Sequence, residues 1–289
     1  CIRDRQRVDL GQMAFGFSQR RLRVSRWAMQ VAGYSLILII AATALHRLFG
    51  LATPVALNLY LLAFCGAALA ILLASYALWI IWRSGARGLG SAMVAMVLAG
   101  AILMWPVSML PTVQRLPNIN DVSTDTDNPP PFEALARLRP SGSNPVGYQS
   151  AFAAAQTKAY PDLRTLVVQR NAGETVTLVA QALRKLRMQV VREDAPEQRS
   201  GVGYVEASDR TLVFGFYDDV VVRVARRGRG ALVDVRSASR FGQHDLGANA
   251  ARVRRVLTAL VERIQATVPE KRSRRPRRNR GSNQRSNGG

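Results

Sequence analysis

The stretch VVVRVARRGRGALVDVR at residues 220–236 decides how the second half of the chain folds. Its valines alternate with other residues on both sides of a basic turn, Arg226-Arg227-Gly228-Arg229-Gly230. That is the pattern of two half-buried strands, Val220 to Arg226 and Ala231 to Arg236, joined as a hairpin. Opposing Val224 with Val233 also opposes Val222 with Val235 and fills one face with valine. The same register sets Arg223 against Asp234 on the other face, a favourable cross-strand pair. A slip of one residue would face valines with charges, so the register is specified.

Downstream, the polar corner Ser237–Gly247 leads into a helix from about Leu246 to Thr267. Val253, Val256, Leu257, Leu260, Val261 and Ile264 form its apolar stripe, and Asp245 is placed to cap it. Upstream, Val202–Ala207 and Thr211–Phe216 read as another hairpin, with Leu212, Phe214 and Phe216 alternating toward one face. Before that come a strand at 189–192, a helix at 173–187 capped by Thr175, a strand at 166–169, and short helices at 132–138 and 148–160. The order predicts an α+β fold over residues 132–268: a soluble two-layer domain with a mostly antiparallel sheet and helices on one face.

Residues 27–110 are of another kind. Trp27 to Leu45, Val55 to Trp82 and Gly88 to Gln114 contain no charged residue. Each approaches or exceeds the roughly 20 residues that cross a hydrocarbon core about 30 Å thick. They predict three transmembrane helices. Arg20, Arg21, Arg23 and Arg26 precede the first, Arg47 alone follows it, Arg83 and Arg87 follow the second, and Arg115 follows the third. Positive charge favours the cytoplasmic side, so the N-terminus is expected inside and the C-terminal domain outside. Gly66, Ala70 and Ala74 put small residues on one helix face, suited to packing among the spans or to a homodimer. No Asp, Glu, Lys or Arg lies within a span, which argues against a pump or ion-coupled transporter.

The formal charge is +21 over 289 residues, and it is concentrated at the ends. Residues 1–26 form a basic, cytoplasmic segment of net +5, and the tail 269–289 has net +7. The tail is almost without apolar residues and is expected to be disordered. Outside the cytoplasm it would meet anionic lipid or an envelope polymer; nucleic acid would require a cytoplasmic tail, which the loop charges oppose. Cys1 and Cys65 are the only cysteines and support neither a disulfide framework nor a thiolate metal site. The chain opens on Cys1, and Met13 is read as a plausible start.

Residues 111–131 read as a polar, Pro-rich link. Asp121, Asp125 and Asp127 alternate there but lack the glycine and distal glutamate of a calcium loop, so Asx-turns are their expected use. No phosphate loop, nucleophile elbow or histidine pair at metal spacing is present, so neither cofactor nor metal is expected. His244 reads as a loop residue, and Asp218-Asp219 as the opening of a strand. The strongest site candidate is the corner where a strand ends and a helix begins: Arg236, Ser237, Ser239, Arg240, Asp245 and Asn249, with Asp121 as a partner. Helix N-terminal amides and two arginines could hold an anion there. The alternative is a corner that satisfies itself, with Asp245 capping the helix and the arginines paired to Asp218, Asp219 or Asp121.

These residues resemble a bacterial family known as domain of unknown function family 1499. The resemblance rests on Asp218-Asp219-Val220, on Val235 to Gly242 (VRSASRFG) and on Asp245 to Asn249 (DLGAN). The run Ile119 to Asp125 (INDVSTD) is similar to a membrane-anchored branch of the family. Many relatives carry Asn-Cys-Val-Ser-Ser at that point; this chain has no Cys there, so no thiol role carries over. The resemblance spans about residues 116–265 and implies a bacterial envelope protein without implying an activity. The resulting expectation is a multi-pass inner-membrane protein displaying a periplasmic binding or scaffolding domain. The rivals are an envelope enzyme with a metal-independent site at residues 236–249, and a binder of anionic lipid or nucleic acid through the tail.

Overall fold

The computed structural model describes residues 22–267. The readings of Cys1, Met13 and the tail 269–289, and most of the N-terminal segment 1–26, lie outside the described residues. The chain divides into two compact units. One comprises the residues up to Asn120 with Arg210–Asp218 and Ser239–Gly247. The other comprises Asp121–Asp209, Asp219–Ala238 and the chain from Ala248.

The first unit is built on helices α1 (Arg23–Phe49), α2 (Thr53–Ser84) and α3 (Leu89–Arg115), which contain the three predicted spans almost whole. The residues they bury are mostly alanine: Ala28, Ala32 and Ala42 in α1, Ala63, Ala67, Ala70, Ala74 and Ala77 in α2, Ala92, Ala95 and Ala99 in α3. Their large side chains point out, as with Leu61, Leu62, Leu72, Val97 and Met104. A bundle folded in water would bury leucines and expose polar groups. Small residues inside and large apolar residues outside is the pattern of helices solvated by lipid. Ala70 and Ala74 are fully buried within the bundle, and a Cβ on Gly66 would meet Ser35 Oγ of α1 at 2.5 Å. The small-residue face is therefore used within the chain. Pro106 and Pro111 both lie inside α3.

The second unit is an antiparallel sheet with helices, as the hydrophobic pattern predicts. Its strands are β1 (Asp121–Ser123), β2 (Leu166–Val168), β3 (Gln189–Asp194), β4 (Val202–Arg210), β5 (Tyr217–Arg227) and β6 (Gly230–Ser239). They run in the order β1-β6-β5-β4-β3, and β2 also pairs with β6. β1 falls in the stretch read as a link: Asp121 pairs with Ala238 and Ser123 with Arg236. The predicted strand at Thr211–Phe216 is a turn, and the strand that pairs with β4 begins only at Tyr217. The alternation of Leu212, Phe214 and Phe216 serves the helix bundle instead: Phe214 and Phe216 pack with Ala42, Ala56 and Tyr60.

Helices α4 (Ala134–Leu138), α5 (Phe152–Ala159), α6 (Ala172–Lys185) and α7 (Ala248–Ala266) complete the fold. Asn171, not Thr175, caps α6: its side chain accepts from Glu174 N at 2.8 Å and donates back to the Glu174 carboxylate at 3.2 Å. The sheet has two unlike faces. Val205, Ala207, Val220, Val222, Val224, Val233 and Val235 are fully buried, and the residues of this set on each strand alternate with polar or covered positions. Gly203 lets α6 approach closely: a Cβ there would lie 2.8 Å from Val176 Cγ2 and 2.7 Å from Asp194 O. Gly203→Ala should therefore cost about 1–3 kcal/mol through overpacking, read as a lowered thermal midpoint of the sheet's circular-dichroism signal in detergent.

Candidate functional site

The corner residues do not converge. Successive side chains of a strand point to opposite faces, so β6 sends Arg236 and Ser237 apart. Arg236 is only 2% exposed and lies on the face shared with Asp234, Val221 and Phe132. Its Nε donates to both oxygens of Asp121 at 3.0 and 3.2 Å, and its Nη2 donates to Asp121 Oδ2 at 2.6 Å. Nη2 also donates to Val146 O at 2.8 Å and Nη1 to Pro130 O at 3.0 Å. The guanidinium carbon lies 4.6 Å from the Phe132 ring centre and 5.7 Å from that of Tyr148.

This face carries a row of such pairs. Arg139 Nε donates to Asp219 Oδ2 at 2.7 Å, and its Nη1 donates to Asn144 O and Pro145 O. Arg223 Nη2 reaches Asp234 and Asp125 at 2.8 Å each, as the hairpin register predicts for Asp234, while Nη1 donates to Asn128 O. Arg192 pairs with Glu206 at 3.0 Å and stacks on Tyr204. Glu206 in turn accepts the amides of Glu133, Ala134 and Leu135, anchoring the start of α4 to the sheet. Asp125 also makes the expected Asx-turn, accepting from Asp127 N and Asn128 N.

The opposite face takes Ser237. Its hydroxyl donates to Asn249 Oδ1 at 2.8 Å and accepts from Arg252 Nη1 at 3.1 Å. Arg252 Nη1 also donates to Asn249 Oδ1, and its Nε donates to Asp209 Oδ2 at 2.7 Å. This network binds α7 to the sheet. The remaining candidates lie in the first unit. Arg240 stacks on Tyr217 at 5.4 Å, and Ser239 N donates to Asn120 O. Asp245 Oδ1 accepts from Gly247 N, in a turn with Leu246 and Gly247 both at positive φ. Helix α7 begins at Ala248, two residues later than predicted.

A groove of about 350 Å³ opens beside Arg236, lined by Thr126, Asp127, Pro131, Phe132 and Tyr148. Tyr148 donates to Gln156 Oε1 at 3.3 Å. Burial pushes its phenol up to about 12, and the Asp121 carboxylate adds to that rise while Arg236 opposes it. Burial also pushes the Asp121 carboxyl up, against the pull of Arg236 and Arg139. Among the described residues no group of three His, Cys, Asp or Glu side chains could hold a metal ion. Sequence reasoning missed Arg139, Tyr148, Glu206, Arg252 and Asp209. The signal for Arg252 was a cation beside the apolar stripe of α7, three residues after Asn249.

Removing one partner of the Arg236–Asp121 pair leaves the other charge buried. Asp121→Leu or Arg236→Met should each cost about 3–5 kcal/mol, and the two together should cost well under the sum; unfolding midpoints of wild type, the two single variants and the double variant test this cycle. Alkaline titration by phenolate absorbance should show a step near 12 that Tyr148→Phe removes. The fold keeps that proton between pH 10 and about 12 while the unfolded chain releases it, so the contribution is complete below pH 10 and lost as pH rises through 12.

Comparison with known proteins agrees with the sequence motifs. No curated protein matches the chain. Among solved structures, the vertebrate conserved region (VCR) of human METTL16 aligns at 12% identity and a TM-score of 0.27, over 36% of this chain and 98% of that one. A likeness that slight carries no conclusion. A family model does match: residues 121–260 resemble the family described as protein of unknown function, DUF1499.

Proposed function

We propose that the chain is a multi-pass protein of a bacterial inner membrane that displays a binding or scaffolding domain on the periplasmic side. The observation that carries this reading is the saturation of the expected site. Arg236 spends its donors on Asp121, Pro130 O and Val146 O. Ser237 and Asn249 are held by Arg252. Both Asp121 oxygens accept from Arg236, so the carboxylate is committed to structure rather than poised as an acid or base. An interaction module tolerates such a self-satisfied frame; a catalytic corner needs groups turned toward a reactant. The surface on offer is the groove beside Tyr148, whose ring and neighbouring prolines suit a stacked, weakly charged ligand or chain segment. The tail 269–289 supplies charge attraction to anionic lipid or envelope polymer.

Orientation rests on the arginines at the ends of the spans. Topology reporters fused after Arg87 and after Gly289 test it. The Arg87 fusion should be active only as a cytoplasmic reporter and the Gly289 fusion only as an exported one. A cytoplasmic Gly289 fusion would sink the periplasmic reading.

A further inference from the structure

The turn at residues 211–216 is an unusual place for apolar side chains. Leu212 is 87% exposed and Val213 is 66% exposed, at the tip between β4 and β5. The tip belongs to the same compact unit as the three helices. Phe214 lies 5.1 Å from the Tyr60 ring of α2 and 5.2 Å from the Trp105 ring of α3. Phe216 stacks on Phe214 at 5.7 Å and lies 5.3 Å from His46 of α1. Tyr60 follows the first residue of α2, Thr53, by seven positions, which is about 10 Å along the helix at 1.5 Å per residue. Trp105 precedes the end of α3, Arg115, by ten positions, about 15 Å by the same rise. Phe214 therefore reaches well below the ends of both helices.

Irregular backbone beside the spans needs partners for its polar groups, and several of this turn's groups have them. Arg47 Nη1 donates to Thr211 O at 3.2 Å and to Leu212 O at 2.5 Å. Thr211 N donates to Phe216 O, Gly215 N to Thr211 O, and Phe216 N to the Thr211 hydroxyl. Arg210 donates to Gly215 O at 3.2 Å and to Arg47 O at 2.7 Å. Two arginines thus tie the turn to the end of α1 and bond its carbonyls, while Leu212 and Val213 are left outward.

We propose that the 211–216 turn is a membrane-inserted anchor, with Leu212 and Val213 seated among the acyl chains of the bilayer that α1–α3 span. The exposed tip adjoins the outward-facing apolar side chains of the helices, and Arg47, which holds the Thr211 and Leu212 carbonyls, lies two residues from the end of α1, where its charge and the turn's backbone sit at the headgroup level and Leu212 and Val213 point past them. The inference rests on reading α1–α3 as spans, and its test separates the two. Nitroxide labels are placed at Leu212→Cys, at Leu72→Cys on the outward face of α2, and at Gly228→Cys in the β5–β6 turn. The background is the full chain with Cys1→Ser and Cys65→Ala, reconstituted in vesicles of phosphatidylcholine and phosphatidylglycerol. Collisions with oxygen and with a water-soluble nickel complex report each label's surroundings. The label at 212 should favour oxygen, as should the one at 72, while the one at 228 should favour nickel. A label at 212 that favours nickel while 72 favours oxygen overturns the anchor and leaves the spans intact. A label at 212 shielded from both, with spin–spin broadening, overturns it in favour of a contact between copies; nickel-favoured collisions at 72 overturn the spans themselves.

Discussion

A buried arginine must find a carboxylate and carbonyls or the fold around it fails. On one face of this sheet that constraint is met three times, by Arg139, Arg223 and Arg236, while the partly buried Arg192 takes carboxylates alone. The carboxylates come mainly from the strands, and the carbonyls come from the irregular segment laid over them, at Asn128, Pro130, Asn144, Pro145 and Val146. That segment has only the single turn of α4 as regular structure. Arginine side chains supply the donors that a ladder would otherwise supply. Glu206 does the reverse service for the three amides at the start of α4. The cover and the sheet are therefore joined by charge-assisted bonds as well as by the apolar cluster of Phe132 and Leu135 with Val221 and Ala238.

The other face of the sheet and the helix bundle follow two different rules of apolar packing. Against the sheet, buried valines meet α6 and α7, whose inward residues include Val176, Val179, Leu183, Val253, Val256 and Leu260. Between α1, α2 and α3, alanine meets alanine and the large side chains face away. The first arrangement is driven by water leaving valine and leucine. The second gains its close approach from small side chains, because lipid solvates the large ones as well as protein would.

Much of this was legible in the chain. Uncharged length announced the spans, and the 220–236 stretch announced the hairpin and its Arg223–Asp234 pair. The separation of Arg236 from Ser237 was also implicit in strand alternation, yet motif order in sequence suggests one cluster. The 211–216 turn misled because alternating aromatics look the same whether their partner is a sheet face or the side of a helix. Glu206 was illegible for a plainer reason: the amides it holds lie 71–73 positions away in the chain, and a lone charge in a strand does not say what it will meet.

β1 pairs along only three residues of β6, and beyond it lies the side of Ser123 that no strand occupies among the described residues. Gln156 stands there. Its Oε1 accepts from Ser123 N at 3.0 Å and its Nε2 donates to Ser123 O at 2.6 Å, so one side-chain amide copies the bonding of a neighbouring strand. The sheet margin is closed by a single residue of α5. Two-dimensional diffusion brings neighbouring copies of a membrane protein together often, and an open margin on each would invite them to zip together. With Gln156 in place, Ser123 has no backbone group left to offer a neighbouring chain at that margin, a matter of the crowd around the molecule as much as of the molecule alone.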